Sequence, residues 1–259
     1  MGDLVMFNRF DLTGKVAALT GSTGGMGFAI ARGLAEHGAR VIVSSNREED
    51  VESAVAKLTA SGLDVKGVRC DVLDLEEIKT FGDKARSAYG HVDILFCLTS
   101  PPPPSGPTTA LDGSALGVFV DQTISGTLAV AQQFIPDMVR RKDGSIVFMS
   151  SIGSVRALPL LGGYGAAKAA LNSLVRSLAV EVGPFNVRAN AIAPSFVRTN
   201  FSRAVWNDPD RERAVIAKIP AGRMADPEDV VGAAVLLASP AGAFISGQTI
   251  LIDGASSVV

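Results

Sequence analysis

Tyr164 and Lys168 stand four residues apart in Tyr164-Gly-Ala-Ala-Lys168, with Ser151 thirteen positions upstream of the tyrosine. Residues four apart on a helix share a face, so a phenol and an ammonium can point into one cleft. An ammonium beside a phenol favours the phenolate and is expected to lower the tyrosine pKa from about 10. Such a tyrosine can give and take a proton near neutral pH. A serine closing the preceding strand can hold a substrate carbonyl or hydroxyl against it. Tyr-x-x-x-Lys by itself occurs by chance on many helices, so its meaning depends on the elements that position it.

The start of the chain supplies that frame. Lys15-Val-Ala-Ala-Leu-Thr20 reads as a buried strand running into Gly21-Ser22-Thr23-Gly-Gly25-Met26-Gly27, followed by a helical stretch from Phe28 to His37. Gly38 stops that helix, and Arg40-Val-Ile-Val-Ser44 reads as a second strand. A strand, a glycine loop, a helix and a strand in this order form a dinucleotide-binding unit. The glycines let the backbone approach a pyrophosphate, and the helix N-terminus faces its charge. Where a fold that prefers NAD places Asp or Glu on the ribose 2′-hydroxyl, this chain has Ser44-Ser45-Asn46-Arg47, with no acid before Glu48. Hydroxyls, an amide and a guanidinium can bond a 2′-phosphate that a carboxylate would repel. The reading is NADP(H), with NAD(H) still admissible. Arg47 is either a phosphate ligand or a solvated charge at a helix start.

Hydrophobic residues make up 47% of the 259-residue chain, enough for one α/β domain with a large core. A net charge of −2 gives no sign of a nucleic-acid groove or an anionic membrane surface. The first ten residues lack the apolar run of a signal peptide, and no uninterrupted apolar stretch is long enough for a membrane span. A soluble cytoplasmic protein is expected. Cys70 and Cys97 fall at strand ends and read as small buried hydrophobes. His37 and His91 belong to no cluster, so neither a metal site nor a histidine partner for Ser151 in a hydrolase is in view.

Strands are expected at 65–70, 92–98, 145–150, 187–193 and 249–252, between helices at 48–61, 74–89, 114–141, 163–182 and 227–239. Apolar strands alternating with helices predict a doubly wound Rossmann-type parallel sheet of about seven strands in a single domain, 1–259, with helices on both faces. Pro101–Pro104 should form a stiff rim loop. The segment 195–221, carrying Phe196, Phe201 and Trp206, follows the sixth strand and would overhang the carboxyl ends where ligands bind.

Thr20-Gly-x-x-x-Gly-x-Gly27 combined with Ser151, Tyr164 and Lys168 resembles the short-chain dehydrogenase/reductase family, over a span from about Phe10 to Gly254. Cys70-Asp71-Val72, Asn190-Ala-Ile-Ala-Pro194, Gly247-Gln248 and Asp253-Gly254 match further family segments. Phe10-Asp-Leu-Thr-Gly-Lys15 and Ser44-Ser45 are most similar to its NADP-using carbonyl and ketoacyl reductases. The resemblance implies hydride transfer between nicotinamide and a small carbonyl or alcohol substrate, with Tyr164 as acid and base, Ser151 on the substrate oxygen and Lys168 on the nicotinamide ribose. It implies cofactor contacts from Asp71, Val72, Leu98, Thr99, Pro194, Val197 and Thr199, a mobile lid at 195–221, and a homotetramer or homodimer. Pairing would use the long central helices, where Ala166, Ala167, Ala169 and Ala170 are small, and the C-terminal strand.

Two departures stand beside these matches. Cys97-Leu98-Thr99-Ser100 replaces the family's Asn-Asn-Ala-Gly, and Thr123 stands where most members carry a catalytic, water-holding Asn. A threonine hydroxyl can still bond a water. They leave open a nucleotide-binding module that has lost turnover, since fold alone never proves chemistry. Reduction of a C=C or C=N bond is the other alternative.

Overall fold

A computed structural model describes residues 8–259, so most of the N-terminal segment on which the leader expectation rests lies outside the described residues. Seven parallel strands form one sheet: β1 Val16–Thr20, β2 Arg40–Val43, β3 Val65–Gly67, β4 Ile94–Cys97, β5 Gly144–Met149, β6 Val187–Pro194 and β7 Thr249–Ile252. Their order is β3-β2-β1-β4-β5-β6-β7. The five strands β1, β2, β4, β5 and β6 are nearly wholly buried, which is why they read as continuous apolar runs rather than alternating ones. Chain order reverses between β1 and β4, where Thr20 pairs with Cys97. Ligands of open parallel sheets bind beyond the carboxyl ends at such a point.

One face is covered by α1 Gly25–Glu36, α2 Glu48–Ala60 and α10 Val231–Ala238, which bury Ile30, Leu34, Leu58 and Leu237 against β1, β2 and β4. The other carries α3 Leu75–Tyr89, α5 Thr127–Gln132, α6 Ile135–Arg141 and α7 Gly162–Val182. There Phe81 and Phe134 meet edge to face at 5.8 Å beneath Phe148 and Leu171. Cys70 and Cys97 are buried free thiols, and burial pushes the Cys70 thiol up to about 12. Both are inert hydrophobes, as expected.

The single helix expected over 114–141 is instead three. After α4 Gly113–Asp121 the chain widens into a π turn, Gln122–Gly126, before α5; a break at Gln133 and Phe134 then precedes α6. Pro136 explains the second break, because it has no N–H to bond the preceding turn. At the first, Gly126 lies so close to the loop ahead of α3 that a Cβ would stand 2.9 Å from the Val72 carbonyl oxygen. Gly113–Gln132 is long and apolar enough to cross a membrane by length and composition, yet it carries Asp121, and Phe119, Val130 and Ala131 are buried in the fold. The stretch 68–70 leaves the strand expected there, although Val68 and Cys70 still donate to the Val43 and Ser45 carbonyls. Residues 227–230 form a 3-10 turn ahead of α10.

Segment 195–221 folds into two short helices, α8 Arg203–Trp206 and α9 Pro209–Ile216, after a 3-10 turn at Asn200–Ser202.

Candidate active site

The loop after β1 turns sharply because Gly21 and Gly25 adopt φ of 64° and 52°, a region costly for other residues. Gly27 presses α1 onto the strand end: a Cβ there would fall 2.1 Å from the Gly21 carbonyl oxygen. No side chain caps α1 and no acid sits in its first turn. By contrast, Asp74, Asp112 and Asp208 cap α3, α4 and α9. The uncapped N–H groups of α1, beside Gly24 with open space around it, form the one end among these suited to a phosphate.

Ser22 is fully buried, its hydroxyl accepting from the Ser44 N–H and donating to the Leu19 carbonyl, both at 2.9 Å. It braces the loop against β2. Thr23, Met26, Ser45 and Asn46 lie along the same rim, and Ser44 Oγ is buried without a partner. Arg47 is exposed, its Nε 3.6 Å from Asp50 and 4.0 Å from Glu49. Arg69, absent from the sequence expectations, ties this rim together by donating to the Asn46 carbonyl at 3.0 Å and to Glu77 at 2.8 Å. Asp71 accepts from the Leu73 N–H at 3.0 Å, and its neighbour Val72 packs on the core.

Thr99 and Thr199 close on the glycine loop from two sides. Cβ atoms built on Gly21 and Gly25 would meet their methyls at 2.8 and 3.0 Å. Leu98 packs against the apolar layer of α1 while its N–H reaches the Thr20 hydroxyl at 3.4 Å. Pro194 ends β6, and Val197 is buried and bridged to Ala225. Thr199 is held in turn by Trp206, whose Nε1 donates to its carbonyl at 2.8 Å. The segment expected as a lid therefore rests on the glycine loop.

Ser151, at the end of β5, Tyr164 and Lys168 come together as their spacing requires, and all three are buried. A methyl on Gly153 would lie 3.5 Å from Ser151 Oγ and 3.5 Å from Tyr164 Cδ1. Gly165 permits this approach, because a Cβ there would stand 2.6 Å from the Gly153 carbonyl. Lys168 Nζ donates to the Met149 carbonyl at 2.9 Å and sits 5.8 Å from the Tyr164 ring centroid. Burial brings the Lys168 pKa down to about 8. Tyr164 departs from expectation: burial raises its pKa, and the opposing influence is the Ser151 hydroxyl rather than the ammonium. Sequence spacing showed the neighbours but not the desolvation, which here outweighs them.

Thr123 lies in the π turn, which packs against α7, with its hydroxyl buried and unpartnered. π turns inserted in helices gather at functional sites.

Two bracing residues were missed. Ser154 donates to the Ser151 carbonyl at 2.7 Å and accepts from Asn172 Nδ2 at 2.8 Å. With its only proton spent on the carbonyl, the Ser154 hydroxyl must accept, which fixes the amide orientation. Asn172 lies four residues beyond Lys168 on the same buried face, so a second four-residue step could have found it. Phe119, packed 6.1 Å from the Tyr164 ring, was also unforeseen. His91 lies at the opposite end of the sheet beside Asp93, and His37 bonds the Gly33 carbonyl, so neither serves Ser151.

A family model described as enoyl-(acyl carrier protein) reductase matches residues 21–256. Dehydrogenase/reductase SDR family member 4 of Bos taurus is 37% identical over 99% of this chain and 92% of its own length. Among solved structures, a gluconate 5-dehydrogenase from Burkholderia cenocepacia J2315 in complex with NADP and tartrate superimposes with a TM-score of 0.90 at 28% identity, covering 97% of this chain and 98% of the other. A levodione reductase does so with a TM-score of 0.89 at 25% identity, covering 96% and 99%. With the sheet order, the glycine loop and the serine–tyrosine–lysine cluster on one rim, these similarities show that the chain belongs to the short-chain dehydrogenase/reductase family of oxidoreductases.

Proposed function

We propose that the protein interconverts a ketone or aldehyde and an alcohol, with NADP(H) as the hydride carrier. The observation that carries this reading is the convergence of Ser151, Tyr164 and Lys168 on the same carboxyl rim of the sheet as an uncapped helix N-terminus. The nicotinamide cofactor supplies the hydride when bound. Its phosphates suit the α1 N-terminus and Thr199, and its ribose suits Lys168, whose one bond in this structure is to the Met149 carbonyl. Ser151 holds the substrate oxygen, braced from behind by Ser154 and Asn172. Tyr164 gives that oxygen its proton, and its raised pKa keeps the phenol protonated for reduction at neutral pH. Thr123 offers its free hydroxyl to a water behind Lys168.

The absence of a carboxylate at the end of β2 supports NADP(H), as does the NADP named with the Burkholderia structure. The protein assembles as a homotetramer or homodimer in this reading, since Ala166, Ala169 and Ala170 leave small apolar surface exposed on α7 and Val118 and Val180 add to it, whereas Ala167 is buried against Tyr164 and takes no part in such pairing. It works in the cytoplasm, away from nucleic acid and membrane, in keeping with its near-neutral charge. The test is NADPH and NADH consumption, followed by absorbance, with a panel of ketones and aldehydes. Turnover with NADPH preferred is expected. Equal efficiency with both cofactors would remove the reading of residues 44–47, and binding without consumption would favour a module without turnover. The description of the matching family model favours a second reading, reduction of a C=C bond; an α,β-unsaturated ketone in the panel separates the two by whether the alkene or the carbonyl is reduced.

A further inference from the structure

Two phenyl rings flank Tyr164. Phe119 lies 6.1 Å away at 40°, and Phe201 lies 6.4 Å away at 37°, both within the range of interacting aromatic pairs. Their settings differ. Phe119 is buried on α4 in an apolar cluster with Tyr164 and Ala167, against which Val120, Leu158 and Leu161 pack. Phe201 sits on the 3-10 turn of segment 195–221 and is 61% exposed. That turn is held firmly by the reciprocal Thr199–Ser202 capping bonds and by Trp206 on the Thr199 carbonyl. A large apolar ring is thus fixed above the phenol with most of its surface wet. Val155 and Leu160, both more than half exposed, extend the apolar rim on the loop between Ser151 and Tyr164. Arg156 in the same loop spends its guanidinium on the Ser256 carbonyl. A polyhydroxy acid would leave its hydroxyls unpaired against phenyl and leucyl carbon, which is costly.

We infer that Phe201 determines specificity at this site, and that the substrate is a ketone or aldehyde bearing an aryl or similarly flat apolar group. The apolar group lies on Phe201 while the carbonyl oxygen meets Ser151 and Tyr164. Hydride passes from NADPH to the carbonyl carbon and the phenol proton to the oxygen, leaving NADP⁺, an alcohol and a Tyr164 phenolate that takes a proton back from solvent. This assignment rests on the carbonyl-reductase reading of Tyr164.

The test compares acetophenone, butanone and 5-ketogluconate in steady-state NADPH consumption by wild type, Phe201→Ala and Phe201→Leu. NADPH binding, followed by fluorescence titration, checks that each variant is folded. Wild type should prefer acetophenone. Phe201→Ala should raise its KM by about tenfold or more with kcat little changed, Phe201→Leu should recover part of the loss, and butanone kinetics should move less than about twofold. Equal effects on both ketones, no effect, or a wild-type preference for 5-ketogluconate would overturn the assignment while leaving the reductase reading intact. Failure to reduce any of the three, with NADPH bound, would instead remove the reductase reading and the assignment with it.

Discussion

At the amino ends of the strands, Asp93 is buried and its carboxylate is fully engaged. Arg141 donates to it at 2.7 Å, the Val16 N–H at 2.9 Å, and His91 lies 3.2 Å away. Nearby, Lys15 pairs with Asp143 at 2.5 Å, and the partly buried Arg188 donates to the Leu237 and Gly242 carbonyls at 2.7 and 3.0 Å. At the carboxyl ends the same sheet buries polar groups with their bonding left incomplete. Lys168 has one carbonyl and no carboxylate, and Ser44 Oγ, Thr123 Oγ1, Ser150 Oγ and Asn172 Oδ1 have no partner. Leaving a buried donor or acceptor unmet costs about 1–3 kcal/mol, so a rim holding several such groups is less stable than it could be. At the amino end the polar groups that hold Asp93 and Arg188 are saturated, whereas several at the carboxyl rim, where a cofactor, a substrate or a water would sit, are not. The difference separates an end of the sheet that supports the fold from an end that acts.

Removing groups from each end should break that symmetry in opposite directions. Lys168→Met has the largest expected effect, a fall in turnover on the order of 10²–10⁴-fold as for positioned proton-transfer groups, yet it should stabilise the unliganded protein. The folded Lys168 pKa of about 8 lies below its ordinary unfolded value. Between pH 8 and about 10.4 the unfolded chain holds a proton that the folded one has shed, so wild-type stability gains with pH across that window. Below it the buried ammonium is a constant penalty. Urea unfolding should show Lys168→Met more stable by roughly 1–3 kcal/mol at pH 7, the advantage vanishing above about pH 10.4. A variant less stable than wild type at pH 7 would mean that the ammonium is held as well as those at the other end.

Asp93→Ala should do the reverse. It leaves the buried Val16 N–H unmet and takes one of the two carboxylates that hold Arg141, Asp137 remaining at 3.0 Å, and should cost about 1–3 kcal/mol, read as a lower urea midpoint. The surviving folded protein should keep its KM for carbonyl substrate, because Asp93 touches nothing at the carboxyl rim. The smallest effect belongs to Thr123→Val. Removing an unpaired buried hydroxyl should leave stability unchanged or raise it by about 1 kcal/mol, while turnover falls by a modest factor of about ten if the hydroxyl holds a water in the relay. Unchanged turnover would exclude Thr123 from the chemistry.

Much of this arrangement was legible in the residues. Continuous apolar strands, the Gly21–Gly27 loop and the Tyr164–Lys168 step are local patterns whose periods dictate element type and shared faces. What escaped was set by contacts between distant segments. The π turn at Gln122–Gly126 arises where Gly126 meets the Val72 carbonyl, and no helical periodicity carries that information. Ser154 and Asn172 meet across 18 positions of sequence. The tyrosine pKa was misjudged because a spacing shows which charge is near and not how dry the site is.

The central claim is that the unsaturated end performs chemistry, and Tyr164→Phe tests it most directly. The substitution keeps the ring packed between Phe119 and Phe201 and removes only the hydroxyl. NADPH-dependent carbonyl reduction and NADPH affinity should be measured together on wild type and variant. A loss of turnover on the order of 10²–10⁴-fold, with NADPH affinity and the unfolding midpoint little changed, is the expected result. Near-normal turnover by Tyr164→Phe would contradict the account and reduce the Tyr164–Lys168 pair to a coincidence of helix packing.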